Sequence, residues 1–248
     1  GSSVANSENI QKVLAIVATE SKNHKIAVVV SAFGKTTDKL LAAANSALVD
    51  IQITKEILET IKAVHYQIID ALIVKNKTTV SNEVTYLFER LSSMFEGVFL
   101  LQELSNKTLG KVCSFGERLS SYIIANAAKE IFDATHKESR ELIITNDSYL
   151  NAQVNFKITN EKINSFFTEN KHQVTVLGGF ISSNISGEVT TLGRGGSDFS
   201  AAIYAAALNA EELQIWTDVP GMFTANPRVV KQAYPISEIS YEEAMELS

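Results

Sequence analysis

The sequence predicts a three-layer α/β/α sandwich, with helices covering both faces of an open, mainly parallel central sheet. Three observations predict it. Residues 26–31 are apolar almost throughout, the mark of a strand buried on both faces and therefore of a parallel sheet. Further short apolar runs at 141–145, 173–177 and 213–217 alternate with helical patterns. Glycine-bearing turns follow several of these runs, at the strand ends where open α/β sheets place their ligands.

The elements follow in order. Ile10, Val13, Leu14 and Val17 recur at helical spacing behind Asn6 or Ser7, either of which suits an N-cap. After the strand at 26–31, the loop 32–37 leads into a helix over 38–48. Residues 51–104 contain no proline and only Gly97, and they predict two long helices, 51–72 and 84–104, inserted beside the sheet. A helix over 114–129 follows. Residues 180–192 alternate around Ser186-Gly187-Glu188, as a β-hairpin does. The segment 197–210 predicts a helix with Phe199, Ala202, Ile203 and Ala206 on one face. Ser240-Tyr241-Glu242-Glu243 is a capping-box pattern that opens a last helix.

Composition narrows the function. A chain of 248 residues, 45% hydrophobic and 20% charged, buries an ample core and is neither disordered nor fibrous. Its net charge of −6, with no lysine/arginine block, argues against nucleic acid or an anionic membrane as partner. No apolar run approaches the ~18 residues of a membrane helix. The lone Cys113 excludes an intrachain disulfide framework and reads as a small buried residue, so a cytoplasmic home is expected. His24, His65, His136 and His172 lack ligand spacing, and no zinc site is expected. A negative chain that binds anions needs local positive charge, which singles out Arg194 and Arg228.

Four clusters carry the candidate chemistry. Gly34-Lys35-Thr36 imitates a P-loop, but the position that must be glycine is Val29. Leu192–Asp198 is either a glycine turn capped by Ser197 or Asp198, or an anion site in which Arg194 offers a planar fork to a carboxylate. In the latter reading Asp198 orients a lysine or a metal, and the amides of 195–197 face an oxyanion. Glu117, at the front of a helix, is either a favourable dipole partner or a buried carboxylate for a substrate amine. Thr217 and Asp218 stand at the end of a predicted strand, before a proline-glycine turn that satisfies the same residues structurally. Trp216 reads as core.

Taken as a set, these blocks resemble the amino-acid kinase family, and within it the aspartate kinase catalytic domain. The matching residues are Gly1–Ala5, Val30-Ser31-Ala32 through Thr37, Phe115-Gly116-Glu117, Gly178-Gly179-Phe180, Leu192–Asp198, Ile215 through Arg228, and Ser240–Ser248. The blocks span the chain in the family's order, and their wording is nearest the kinase portion of bifunctional aspartokinase–homoserine dehydrogenases.

The resemblance implies ATP-dependent phosphorylation of the β-carboxylate of L-aspartate, with Mg2+, as the first step toward lysine, threonine and methionine. It assigns the aspartate α-carboxylate to Arg194, the ammonium to Glu117, and substrate positioning to Thr37 and Ser197. Ser31 is expected near the transferring phosphoryl group, and Asp198 is expected to organise the catalytic lysine. Gly1, Gly179, Thr217, Asp218, Phe223 and Arg228 are expected around the nucleotide. A lobe for aspartate over about 1–175, a lobe for nucleotide over about 176–248, and a homo-oligomeric full-length protein are implied as well. The family's Lys-Phe-Gly-Gly strand is expected to precede Ser2, with its second glycine at Gly1, and its Phe-Gly-Ala-Lys segment is expected beyond Ser248. Residues 1–248 alone are accordingly expected to turn over poorly. Phe223 and Asn226 stand where relatives often carry tyrosine and aspartate. The alternatives left open are a glutamate or acetylglutamate kinase, and a non-catalytic fragment that binds nucleotide or aspartate.

Overall fold

The computed structural model describes every residue except Asp218, Pro220, Arg228 and Ser248. The described residues form two compact units, one of Gly1 with Ser3–Gln214 and the other of Ser2 with those from Ile215 onward. The first begins with α1 (Ser7–Glu20), whose cap is Asn6: its side-chain oxygen accepts from the Asn9 N–H at 2.9 Å. Then come β1 (Ile26–Val30), α2 (Thr36–Ser46), α3 (Ile51–Leu72) and α4 (Lys77–Leu101). Asp50 opens α3 by accepting from the N–H groups of Gln52 and Ile53 at 2.7 and 3.3 Å. After α5 (Asn106–Cys113) and α6 (Phe115–Lys129) the chain forms β2 (Ala134–Lys137), β3 (Ile144–Thr145), α7 (Phe156–Glu169) and β4 (Val174–Gly178). The hairpin of β5 (Ile181–Asn184) and β6 (Val189–Thr191) turns at Gly187, with φ of 77°, and leads to α8 (Gly196–Ala207).

The central sheet is parallel, in the order β1-β4-β2, and a smaller mixed sheet has the order β3-β5-β6. Alternation along the strands explains the layers. Val28, Val30, Val174 and Val176 enter a large core with Ile61 of α3, Phe88 of α4 and Leu119 of α6. Ala27, Val29 and Leu177 belong to a second core with Ile163 of α7 and Tyr204 of α8. Helices thus cover both faces, and β4, fully buried, is the middle strand. β1 is only half-buried over most of its length, as its edge position dictates.

Several elements depart from the sequence reading. α4 starts at Lys77, not 84, because Val80 packs into the core and extends the apolar stripe backward through a polar Thr-Thr start. It stops at Leu101, where Gln102 turns left-handed with φ of 52°. Of the strand expected at 141–145, only Ile144–Thr145 is extended, and it lies in the smaller sheet. The edge of the central sheet is instead Ala134–Lys137, whose Ala-Thr-His-Lys sequence carries no apolar run. Residues 213–217 join no ladder among the described residues, for an apolar run becomes a strand only where another strand meets it. Trp216, expected in the core, is 58% exposed. In α8 the buried face is Ser200, Ile203 and Tyr204, while Phe199 is exposed. Tyr204 sets that rotation: its hydroxyl donates to Ser139 Oγ at 3.0 Å, deep in the second core.

In the second unit, Phe223 bridges to Pro235, and the Thr224 N–H donates to Tyr234 O at 3.0 Å. The helix α9 (Tyr241–Leu247) opens on the expected reciprocal box. Glu243 N–H donates to Ser240 Oγ at 3.2 Å and Ser240 N–H to Glu243 Oε2 at 2.9 Å.

Candidate active site

The parallel register ends β1 and β4 together, with Val30 beside Gly178. Just past that point the Gly179 N–H donates to Val30 O at 2.8 Å. Three segments converge here: the loop after β1, the first turn of α6, and the Gly178-Gly179-Phe180 corner against α8. Glycines permit the approach. A Cβ on Gly116 would stand 2.8 Å from Ala32 Cβ, and one on Gly179 would stand 2.7 Å from Ser197 Cα.

Glu117 is the centre of this arrangement. It lies in the first turn of α6 and is only 3% exposed. Its Oε1 accepts from the Ala32 N–H at 3.1 Å, while Oε2 is buried with no hydrogen-bond partner among the described residues. Burial pushes the carboxyl up to about 7, and the Ala32 hydrogen bond opposes that shift only in part. A buried carboxylate oxygen with no donor is costly and well suited to a cation. Glu117 is thus buried, and not merely an exposed partner for the helix dipole.

The first turn of α8 supplies the complementary charge. Its N-cap is Gly195, left-handed with φ of 72°, and Gly193 before it has φ of 79°. Ser197 and Asp198 therefore do not cap the helix, and their own N–H groups have no acceptor among the described residues. The turn is stitched to the glycine corner through Phe180, whose N–H donates to Ser200 Oγ at 2.9 Å and to Gly196 O at 3.2 Å. Phe180 itself has φ of 64°, with the Ile181 N–H closing on Gly179 O at 2.6 Å across it. A phenylalanine held left-handed in so tight a turn is strained, a condition that clusters at functional sites.

The structure thus brings Ser31, Thr37, Glu117, Gly179 and Ser197 together; Thr37 Oγ1 lies within 3.6 Å of the Cβ position on Gly116. Arg194 and Asp198 flank them, both exposed, on the turn into α8. Gly1 lies against Gly34, its Cβ position 3.3 Å from that residue's carbonyl oxygen. Thr217, exposed, and Phe223, half-buried, belong to the second unit, and Asp218 and Arg228 lie outside the described residues. The sequence reading did not single out Ala32, the donor to Glu117, or Ser120, whose hydroxyl donates to Ser31 O at 2.9 Å. Spacing carried a signal for Ser120, because i and i+3 from Glu117 share one helix face.

Comparison with known proteins finds relatives along the whole chain. The amino acid kinase family model matches residues 1–248. A bifunctional aspartokinase/homoserine dehydrogenase of Buchnera aphidicola is 31% identical over 254 residues, covering 100% of this chain and 31% of the relative. Aspartokinase 1 of Arabidopsis thaliana is 32% identical over 256 residues, covering 100% of this chain and 44% of the relative. The structure of E. coli aspartokinase III with aspartate and ADP, in its R-state, superposes with a TM-score of 0.90 at 31% identity, covering 99% of this chain and 54% of that one. The chain thus spans about a third to a half of the length of these relatives. Glycine-built walls, a buried carboxylate and an uncapped helix start occur here in a chain matched from end to end, and the chain belongs to the amino acid kinase family.

Proposed function

We propose that this chain is the catalytic domain of an aspartate kinase, transferring the γ-phosphoryl group of ATP to the β-carboxylate of L-aspartate. The observation that carries the reading is the buried, partnerless Oε2 of Glu117, a receptor for an ammonium group, at the meeting of β1, β4 and α8. The relatives support it: they are aspartokinases, and the solved relative from E. coli binds aspartate and ADP.

In this reading Glu117 Oε2 holds the α-ammonium while the Arg194 guanidinium takes the α-carboxylate as a bidentate pair. Thr37 and Ser197 hydroxyls orient the acceptor, and the side-chain carboxylate points toward Ser31. Its oxygen attacks the γ-phosphorus, the bond to the β,γ-bridging oxygen breaks, and ADP leaves with that electron pair. The reaction brings two anions together, so the protein contributes mainly positioning and charge neutralisation. The open N–H groups of Ser197 and Asp198 face developing negative charge at a helix N-terminus. Asp198 orients the catalytic lysine that the family resemblance implies.

We assign Gly1, Gly179, Thr217, Asp218, Phe223 and Arg228 to the nucleotide, with an aspartate-side lobe over about 1–175 and a nucleotide-side lobe over about 176–248 that also lends Arg194 and Ser197 to aspartate. Mg2+ would be held chiefly by the nucleotide phosphates. It demands few protein ligands, and among the described residues no cluster of three or more acidic, histidine or cysteine side chains stands ready to hold it, so no side chain is assigned to it. The bound ion neutralises phosphate charge. Cytoplasmic location and homo-oligomeric assembly of the whole protein complete the proposal.

The test is trapping of the acyl phosphate. With ATP, L-aspartate and hydroxylamine, the full protein yields aspartyl hydroxamate in amounts matching the ADP formed. Hydroxamate from glutamate or acetylglutamate in preference to aspartate, or none from any of them, defeats the reading.

A further inference from the structure

One peptide group in the site is gripped at both polar atoms by a single helix turn. The Ser31 carbonyl accepts from Ser120 Oγ at 2.9 Å, and the Ala32 N–H, in the same peptide unit, donates to Glu117 Oε1 at 3.1 Å. On the other side of Ser31, the Val30 carbonyl accepts from the Gly179 N–H at 2.8 Å. The two peptide groups flanking Ser31 are therefore tied to Glu117, Ser120 and Gly179. Gly116 adds a lateral stop, with its Cβ position only 2.8 Å from Ala32 Cβ.

Ser120 is fully buried, and its hydroxyl has one proton to give. A serine inside a helix ordinarily returns that proton to its own helix. Here the carbonyl of Glu117 lies at 3.3 Å and that of Ser31 at 2.9 Å, so the loop is the better acceptor.

From this geometry we infer that Ser120 is a positioning residue for phosphoryl transfer: with Glu117 it clamps the Ser31–Ala32 peptide and so fixes the Ser31 hydroxyl at the reacting end of the site. The inference rests on the aspartate kinase reading and extends it to a residue that touches no substrate. Glu117 then has two duties divided between its oxygens, Oε2 for the substrate ammonium and Oε1 for the clamp. Filling the ammonium site braces the carboxylate that holds the Ser31 peptide, and acceptor recognition is thereby coupled to phosphoryl positioning.

Ser120→Ala removes the clamp hydroxyl and keeps the helix. In the full protein it lowers kcat about tenfold, or more, with KM for aspartate changed by less than about threefold, because the substrate contacts stay in place. Ser120→Thr, which keeps the hydroxyl, restores most of kcat. The control is Ser121→Ala, the adjacent buried serine, whose hydroxyl bonds His136 Nε2 at 3.1 Å away from this loop. It costs stability of the same order and leaves kcat unchanged. Amide hydrogen exchange reads the clamp without turnover: the Ala32 N–H exchanges at least tenfold faster in Ser120→Ala and not in Ser121→Ala. Wild-type kcat in Ser120→Ala, or unchanged protection at Ala32, overturns the inference. If the wild-type protein phosphorylates no aspartate, the functional reading falls by itself, and exchange at Ala32 still decides the clamp.

Discussion

Glu117 joins a cost in stability to the proposed recognition of substrate in one side chain. A carboxyl raised from an ordinary 4.5 to about 7 favours the fold while protonated and loses that advantage as pH rises through 7. The difference is worth about 3 kcal/mol. Glu117→Gln therefore makes the protein more stable above pH 7, by about 2–3 kcal/mol, and little changed below pH 4.5. The same substitution removes the charge proposed to hold the ammonium, and on that proposal KM for aspartate rises about 100-fold or more. Denaturant melts at pH 5 and 8, beside steady-state kinetics, check both halves. In the unmodified protein, kcat/KM for aspartate falls as pH drops below 7, by up to about tenfold per pH unit. Gly179 is the second residue at this scale. A Cβ there meets the backbone of Ser197 at 2.7 Å, so Gly179→Ala displaces the first turn of α8. We expect kcat/KM to fall about 100-fold or more, with a melt showing the protein still folded.

At the scale of elements, what the sequence made legible depended on whether each element's signal was local. α1, α3, α6, the β5–β6 hairpin and the capping box of α9 all carry their own caps, turns or stripes, and they stand where those signals put them. β2 was not legible, because Ala-Thr-His-Lys becomes a strand only through pairing with β4. The run at 213–217 misled for the converse reason, being apolar without a ladder among the described residues. The rotation of α8 was missed because Tyr204 has a partner, Ser139, 65 positions away in sequence. α3 and α4 also carry a buried histidine between them. His65 stands between Phe33 and Phe88, its Nδ1–H donating to Ile61 O at 2.8 Å and its Nε2 buried without a partner among the described residues. Burial depresses its pKa to about 4. Stability from this neutral histidine is present above 6.5 and lost as pH falls toward 4. His65→Leu is accordingly more acid-resistant than the wild type, by up to about 3 kcal/mol at pH 4, as denaturant melts across that range will read.

For the whole molecule, the two buried groups oppose each other. Between pH 4.5 and 6.5 acidification gains stability at Glu117 and loses it at His65, so their contributions nearly cancel. Relative to wild type, Glu117→Gln then loses stability on acidification through that window, and His65→Leu gains it. Ser31, Thr37, Glu117, Gly179 and Ser197, named from sequence motifs, do lie together in the candidate site, because glycines at 116 and 179 let three segments touch. The division of labour within it was not legible, since only coordinates show that one oxygen of Glu117 is already used by Ala32 and the other is not. That division is the centre of the account, and succinate, which is aspartate without its ammonium, tests it most directly. The measurement is kcat/KM for ADP release with L-aspartate and with succinate, in the wild type and in Glu117→Gln. An ammonium held by Glu117 Oε2 gives the wild type a preference for aspartate of about 1,000-fold or more that largely disappears in the variant. Equal use of the two acceptors by the wild type, or a preference untouched by Glu117→Gln, would contradict it.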